Sequence, residues 1–278
     1  MKVVLIIGGA VSGSTAARKL TEHGIRCVIV DQNRLPYGKI EDGLPRWHEK
    51  QRLSEYSKID EVMAHDLVDF IPLTKVGDHI DFEEIYDMNW SCVYFANGAW
   101  RDRLFPIKGI EEFSNFYYQN PFVYWFNHYH EDNYNGPEVV IQDNILVVGG
   151  GLASIDVCKI TQLELVKEKI QSRVKNVDVI AMEHKGIPRY LEEHNIDYNS
   201  LGIKGTTLIY RRDIENMPLT TIPFDAKPEM VEKRRQARRK ILNNTQKKFL
   251  FNVLECTQPT ALNIVEGNLE GLEIIKNK

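Results

Sequence analysis

The sequence predicts an α/β fold of two doubly wound, three-layer units. Three observations carry that expectation. Two short apolar runs, Lys2–Ile7 and Ile145–Val148, each read as a buried strand ending in a glycine-rich turn. The turns are Gly8-Gly9-Ala10-Val11-Ser12-Gly13 and Gly149-Gly150-Gly151-Leu152-Ala153-Ser154, and each opens a small-residue helical pattern. After the first helix a second apolar run, Arg26–Val30, closes on Asp31, which gives a βαβ opening with right-handed crossover. At 278 residues, 43% of them hydrophobic, the chain has enough material for one large or two ordinary domains.

The chemistry of such turns points to dinucleotides. Glycine lets the chain leave a strand sharply and approach a pyrophosphate with no Cβ in the way. The unpaired N–H groups of the following helix then face the anion. This is the Rossmann-like arrangement, and its presence at both ends of one chain suggests two dinucleotides. Read as G-x-G-x-x-G, the first turn carries Ala10 at the middle glycine, the least costly replacement. Asp31 follows Gly8 close to the spacing of roughly 20 residues expected of the acid that holds a ribose diol. The bland alternative is a tight strand–helix turn that binds nothing.

The remaining elements follow in order. Ser14–His23 reads as the first helix, with Ala16, Ala17 and Leu20 apolar and Gly24 placed to end it. Asn33–Arg46, with Pro36, Gly38, Gly43 and Pro45, reads as a long loop that either wraps a ligand or runs over the surface. Gln51–His65 is a helix. Ile71–Val76 and Ile80–Phe82 read as short strands, Phe82–Ile85 as a brief helix and Ser91–Phe95 as an apolar strand. At its end Ala96-Asn97-Gly98-Ala99 makes a small-residue turn, where open α/β sheets place ligands. Phe122, Trp125, Phe126 and Tyr129 recur at helical spacing and mark a packed aromatic helix. His128 and His130 share an H-x-H spacing, but no acid or cysteine at fixed spacing accompanies them, and no metal site is expected.

The second half holds an ambiguity. Leu152–Ser172 is a helix whose Asp156, Lys159 and Glu164 are expected to face solvent. The next strand is either Asn176–Met182, ending at Glu183, or Thr206–Tyr210, ending at Arg211-Arg212. An acid at the strand end favours NADH; a guanidinium pair favours the 2′-phosphate of NADPH. The second choice makes Lys175–Gly205 an insertion with a helical piece at Pro188–His194. Phe224–Asn244 is rich in lysine and arginine, yet Met230, Ala237, Ile241 and Leu242 mark an apolar stripe, so a solvated helix face is favoured over a nucleic-acid surface. A docking patch for an acidic electron carrier is the minority reading. Phe249–Leu254 and Leu269–Ile275 read as antiparallel strands around Glu266-Gly267-Asn268.

Composition narrows the class. The net charge of −4 gives no general attraction to nucleic acid or anionic membrane. No apolar run approaches the roughly 18 residues that suggest a membrane span. The apolar start, Val3–Ile7, mimics a signal peptide but is broken by Gly8 and Gly9. Cys27, Cys92, Cys158 and Cys256 are too widely spaced for a disulfide framework, a zinc ribbon or an iron–sulfur run, and a reducing cytoplasm is the expected compartment.

Five stretches in order resemble the flavin-dependent NAD(P)H oxidoreductases of the glutamate synthase small-subunit and adrenodoxin/ferredoxin–NADP reductase kind, whose fold is that of the pyridine nucleotide-disulfide oxidoreductases. They are I-I-G-G-A-V-S-G at Ile6–Gly13 with Asp31, A-N-G-A at Ala96–Ala99, V-Y-W-F-N at Val123–Asn127, V-V-G-G-G-L-A-S-I-D at Val147–Asp156 and Y-R-R-D-I-E-N-M-P at Tyr210–Pro218. The resemblance implies FAD on Gly8–Gly13, Asp31 and Ala96–Gly98. It implies NADPH on Gly149–Ser154 with its 2′-phosphate on Arg211 and Arg212, which selects Thr206–Tyr210 as the strand. It divides the chain into a first part of an FAD domain at 1–110, an aromatic connector at 111–143 and an NAD(P)H domain at 144–278. The implied acceptor is external: a ferredoxin, an iron–sulfur subunit or a quinone. Hydride transfer requires no side-chain acid or base, so no catalytic residue is assigned, and the lack of C-x-x-C disfavours disulfide reduction. Asn97 departs from the family's threonine. The family's flavin domain is closed by a C-terminal return segment carrying a G-D motif; none precedes Lys278, so the FAD domain is expected to be incomplete in this chain. The competing functions are a flavin monooxygenase or amine oxidase, which shares the first turn, and a non-catalytic nucleotide-binding subunit or sensor.

Overall fold

A computed structural model describes residues 2–277; Met1 and Lys278, the outer ends of the expected domains, lie outside them. The chain divides into two units, one running to Asp102 with Asn127–Tyr134, the other holding Arg103–Phe126 and Asn135 onward.

In the first unit the elements are β1 (Val3–Ile7), α1 (Val11–Thr21), β2 (Arg26–Val30), α2 (Lys39–Asp42), α3 (Glu49–Met63), β3 (Val68–Ile71), α4 (Phe82–Asp87) and β4 (Cys92–Phe95). The four strands form a parallel sheet in the order β3-β2-β1-β4. Alternation along β1 explains the layering. Val4 and Ile6 pack with Ala17 of α1 and Val62 of α3 on one face. Leu5 and Ile7 pack with Ile85 of α4 on the other. A strand buried on both faces has to read as a continuous apolar run, as this one does.

Three expectations need correction here. The third strand is Val68–Ile71 rather than Ile71–Val76, because Pro72 has no N–H for the ladder; Val76 keeps only an isolated bridge to Ile80. The segment read as a loop at Asn33–Arg46 contains the single turn α2. The first helix begins at Val11, three residues earlier than its periodicity suggests.

α5 (Gln119–His128) carries the buried aromatics Phe122, Trp125 and Phe126. The second unit continues with β5 (Ile145–Val148), α6 (Leu152–Ile170), α7 (Val179–Lys185), α8 (Ile187–Glu193), β6 (Thr206–Ile209), α9 (Pro228–Phe249), β7 (Asn252–Leu254), β8 (Thr257–Val265) and β9 (Asn268–Lys276). β5, β6 and β7 form a parallel sheet in that order. The strand after α6 is therefore Thr206–Ile209. Residues 176–182 instead enter α7, whose first N–H groups, of Ile180 and Ala181, donate to the Asp178 carboxylate at 2.9 and 3.0 Å.

The α7–α8 insertion also corrects the reading of α6. Lys159 and Glu164 are buried, at 7% and 8% exposure, and only Asp156 remains half-buried. Lys159 Nζ meets Glu183 of α7 at 2.7 Å and lies 5.0 Å from the Phe249 ring centroid, so a covered charge keeps a carboxylate and an aromatic face. Arg238, expected on a solvated face, is likewise buried, donating to the carbonyls of Glu215 and Thr220 at 2.8 and 2.7 Å. The C-terminal pairing differs too. β7 joins the parallel sheet, and the antiparallel hairpin is β8 with β9, turned by Glu266 and Gly267 at positive φ.

Candidate nucleotide sites

At the first turn β1 ends at Ile7 and α1 starts at Val11, with Ala10 as N-cap and no side chain capping it. Gly8 has φ +101°, and a Cβ there would lie 2.6 Å from the Ala96 carbonyl oxygen; one on Gly13 would lie 1.9 Å from the Gly8 carbonyl oxygen. The turn is thus closed against main chain on both sides, which only glycine permits. Asp31, 6% exposed, follows β2 beside it. Its Oδ2 accepts from the Gly9 N–H at 2.8 Å and its Oδ1 from the Asn33 N–H at 2.9 Å. A carboxylate has about four acceptor positions, so each oxygen retains one for a diol.

Gly8, Ala10, Val11, Ser12, Asp31, Ala96, Asn97 and Gly98 line one cleft of ≈ 650 Å³, within the range of about 300–1,000 Å³ usual for small-molecule and cofactor sites. Gly9 and Gly13 instead serve packing: a Cβ on Gly9 would lie 2.8 Å from Pro36 Cβ. The cleft also takes in Gly38, Lys39, Ile40 and Leu44 from the segment read as a ligand-wrapping or surface loop, and Thr74, Lys75 and Trp100, which the sequence did not single out. The loop at 33–46 is therefore a wall of the cleft. It is seated by Asn127, whose Nδ2 donates to the carbonyls of Glu41 and Leu44 at 2.7 and 3.1 Å and whose Oδ1 accepts from the Arg46 N–H at 3.0 Å. His128 adds an ionic tie, its Nε2 facing Asp42 Oδ1 at 3.3 Å and its Nδ1 lying 2.8 Å from Glu131 Oε1. Asp42, and after it Glu131, hold the His128 pKa above its ordinary value against the opposing effect of burial. Among the described residues no group of three or more His, Cys, Asp or Glu is placed to hold a metal.

The second turn has the same outline and different contacts. The Gly149 N–H donates to the Ile209 carbonyl at 3.1 Å, tying the turn to β6. A Cβ on Gly149 would lie 2.1 Å from Ser154 Oγ, and one on Gly150 would lie 2.1 Å from the Tyr210 ring; around Gly151 there is open space. Gly151 is the N-cap of α6, with no side chain capping the helix, and Leu152, Ala153 and Ser154 form its first turn. Arg211 and Arg212 are exposed just beyond the end of β6. Neither has a carboxylate within ion-pair distance among the described residues, whereas Arg26 and Arg239 each hold one.

No family model matches the chain, and no curated protein matches it by sequence. Solved structures do match its shape. FprA of Mycobacterium tuberculosis, as a point mutant and in complex with NADPH, superposes with a TM-score of 0.69 at 18% identity, over 100% of this chain and 64% of that one. This chain's fold is similar to that part of FprA. A further FprA structure, bearing a covalently modified NADP+, gives a TM-score of 0.65 at 17% identity over 99% of this chain and 69% of that one. The 6-hydroxypseudooxynicotine amine oxidase of Pseudomonas geniculata N1 is similar at a TM-score of 0.56 and 12% identity, over 99% of this chain and 33% of that one. The chain thus spans 64% of the length of FprA in the matches with the higher TM-score. Among the described residues no helix is long and apolar enough to cross a membrane.

Proposed function

We propose that the chain is a flavin-dependent NAD(P)H oxidoreductase, with FAD held by the first unit and NADPH by the second glycine turn. The observation that carries this reading is the convergence of the Gly8–Ser12 turn, Asp31 and the Ala96–Gly98 turn on one cleft. Asp31 would hold the ribose of the ADP half and keep the Gly8–Gly9 turn in shape through the Gly9 N–H. The first N–H groups of α1 would face the pyrophosphate. Trp100, Ile40 and Leu44 would cover apolar surface and exclude water. At the second turn, the N–H groups at the start of α6 would meet a second pyrophosphate, and Arg211 and Arg212 would take a 2′-phosphate by forked hydrogen bonds. FAD, when bound, supplies the two-electron acceptance and onward electron transfer that no side chain here provides. The onward acceptor is external, and a ferredoxin, an iron–sulfur subunit or a quinone fits that chemistry.

The test is direct. The full chain is titrated with FAD, followed by flavin fluorescence, then assayed for NADPH oxidation with ferricyanide. Saturable flavin quenching with NADPH-dependent ferricyanide reduction supports the proposal. A chain that binds no flavin and oxidises no NADPH contradicts it.

A further inference from the structure

We propose that Tyr210 is a positioning residue that aims Arg212 at the 2′-phosphate of the dinucleotide, an inference that rests on the NADPH reading above. The hydroxyl of Tyr210 has one proton, and the Asn216 carbonyl, 2.9 Å away, takes it. Its lone pairs are left to accept, and Arg212 Nε donates to it at 3.0 Å. The guanidinium carbon lies 5.7 Å from the centre of the same ring. One edge of the guanidinium is thereby committed to tyrosine. The two terminal nitrogens, with four N–H groups, remain for a phosphate, and the planar fork is fixed once its Nε direction is fixed.

The tyrosine is itself held at its ring and at its hydroxyl. Its ring is buried at 6% exposure and fills the space a Cβ on Gly150 would need. Its hydroxyl partner, Asn216, is locked by Asp213, which accepts from the Asn216 N–H at 2.9 Å and from its Nδ2 at 2.7 Å. The adjoining Ile214 N–H donates to Glu255 at 2.9 Å. An exposed arginine ordinarily loses rotamer freedom when it captures a ligand, and prior orientation removes part of that cost. Gly150 acquires a role beyond phosphate approach: it makes room for the ring that orients the arginine.

Calorimetric titration of the full chain with 2′,5′-ADP and with 5′-ADP, which lacks the 2′-phosphate, tests this. Tyr210→Phe keeps the ring on Gly150 and removes only the hydroxyl. It is expected to weaken 2′,5′-ADP on the order of tenfold, the value of a hydrogen bond to a charged group, and to leave 5′-ADP unchanged. Arg212→Ala is expected to remove the preference for 2′,5′-ADP, and Tyr210→Phe added to it is expected to have no further effect. If Arg212→Ala removes the preference while Tyr210→Phe retains it, the positioning role fails and the NADPH reading survives. If Tyr210→Phe weakens both ligands equally, its role is structural and the inference is overturned. If the wild-type chain shows no preference, the NADPH reading fails and this inference falls with it. If Arg212→Ala leaves the preference intact, Arg212 does not hold the 2′-phosphate, and this inference is overturned while the NADPH reading survives on Arg211.

Discussion

The two glycine turns share a pattern and differ in what makes glycine necessary. At the first, the crowding atoms include main chain: the Ala96 carbonyl against Gly8 and the Gly8 carbonyl against Gly13. At the second they are side chains, Ser154 Oγ against Gly149 and the Tyr210 ring against Gly150. Main chain fixed at the end of a strand has less room to give way than a side chain, which can shift without moving the backbone. The strand ends differ as well. A buried carboxylate closes β2, and exposed guanidiniums follow β6. One turn is built around an acceptor suited to a ribose diol, the other around donors suited to a phosphate. On the proposed reading, the residue type at the neighbouring strand end distinguishes which dinucleotide each turn takes.

That contrast can be broken by substitution, and the largest effect falls on the first turn. Gly13→Ala puts a methyl 1.9 Å from a carbonyl oxygen that cannot move. A loss of about 3 kcal/mol or more in urea unfolding is expected, at the upper end of overpacking costs. Gly150→Ala meets a ring whose displacement breaks the Tyr210 hydroxyl bond to the Asn216 carbonyl but leaves the backbone in place, and it is expected to cost about 1–3 kcal/mol. Equal losses in the two variants would contradict the distinction between main-chain and side-chain crowding. Gly151→Ala, in open space at an N-cap, should cost less than about 1 kcal/mol.

Asp31→Asn comes next. It retains one acceptor oxygen where the Gly9 and Asn33 N–H groups each use one. A loss of about 1–3 kcal/mol in stability is expected for the unpaired group, with weaker FAD in fluorescence titration. The paired substitution of Arg211 and Arg212 by alanine should leave unfolding unchanged while NADPH weakens about tenfold or more. NADH should be spared, and equal loss of both would remove the pair's proposed role.

Much of this architecture was legible because strands buried on both faces and glycine turns leave strong local signals. The cleft's far wall was not. Thr74, Lys75 and Trp100 come from irregular segments with no period to read, and only the fold brings them to the cleft of Asp31. The burial of Lys159 and Glu164 was hidden for a related reason. Charged residues on α6 look solvated until α7, itself absent from the strand–helix pattern, covers them and supplies Glu183. The ring of Tyr210 was read as the end of a strand, and nothing local announces that it fits over Gly150. The hairpin was misassigned because Pro259 and the polar residues of β8 mask its alternation.

The smallest expected effect concerns the cleft wall. Because folding raises the His128 pKa above its ordinary 6.5, its contribution to stability is fully present below that value. It is lost as pH rises through the folded-state pKa above it. Thermal stability of the wild-type chain relative to His128→Gln should therefore be greatest in mildly acidic buffer and shrink toward about pH 8.5. A gap that is constant across this range would show that the ties to Asp42 and Glu131 do not depend on the imidazolium.

The central claim is that the two turns serve two different dinucleotides, and one paired measurement addresses it. FAD and 2′,5′-ADP affinities are measured on the full chain carrying either Asp31→Asn or the Arg211 and Arg212 alanine pair. The account predicts a double dissociation: the first variant loses FAD and keeps 2′,5′-ADP, and the second does the reverse. Loss of both ligands in each variant, or of neither, would contradict it.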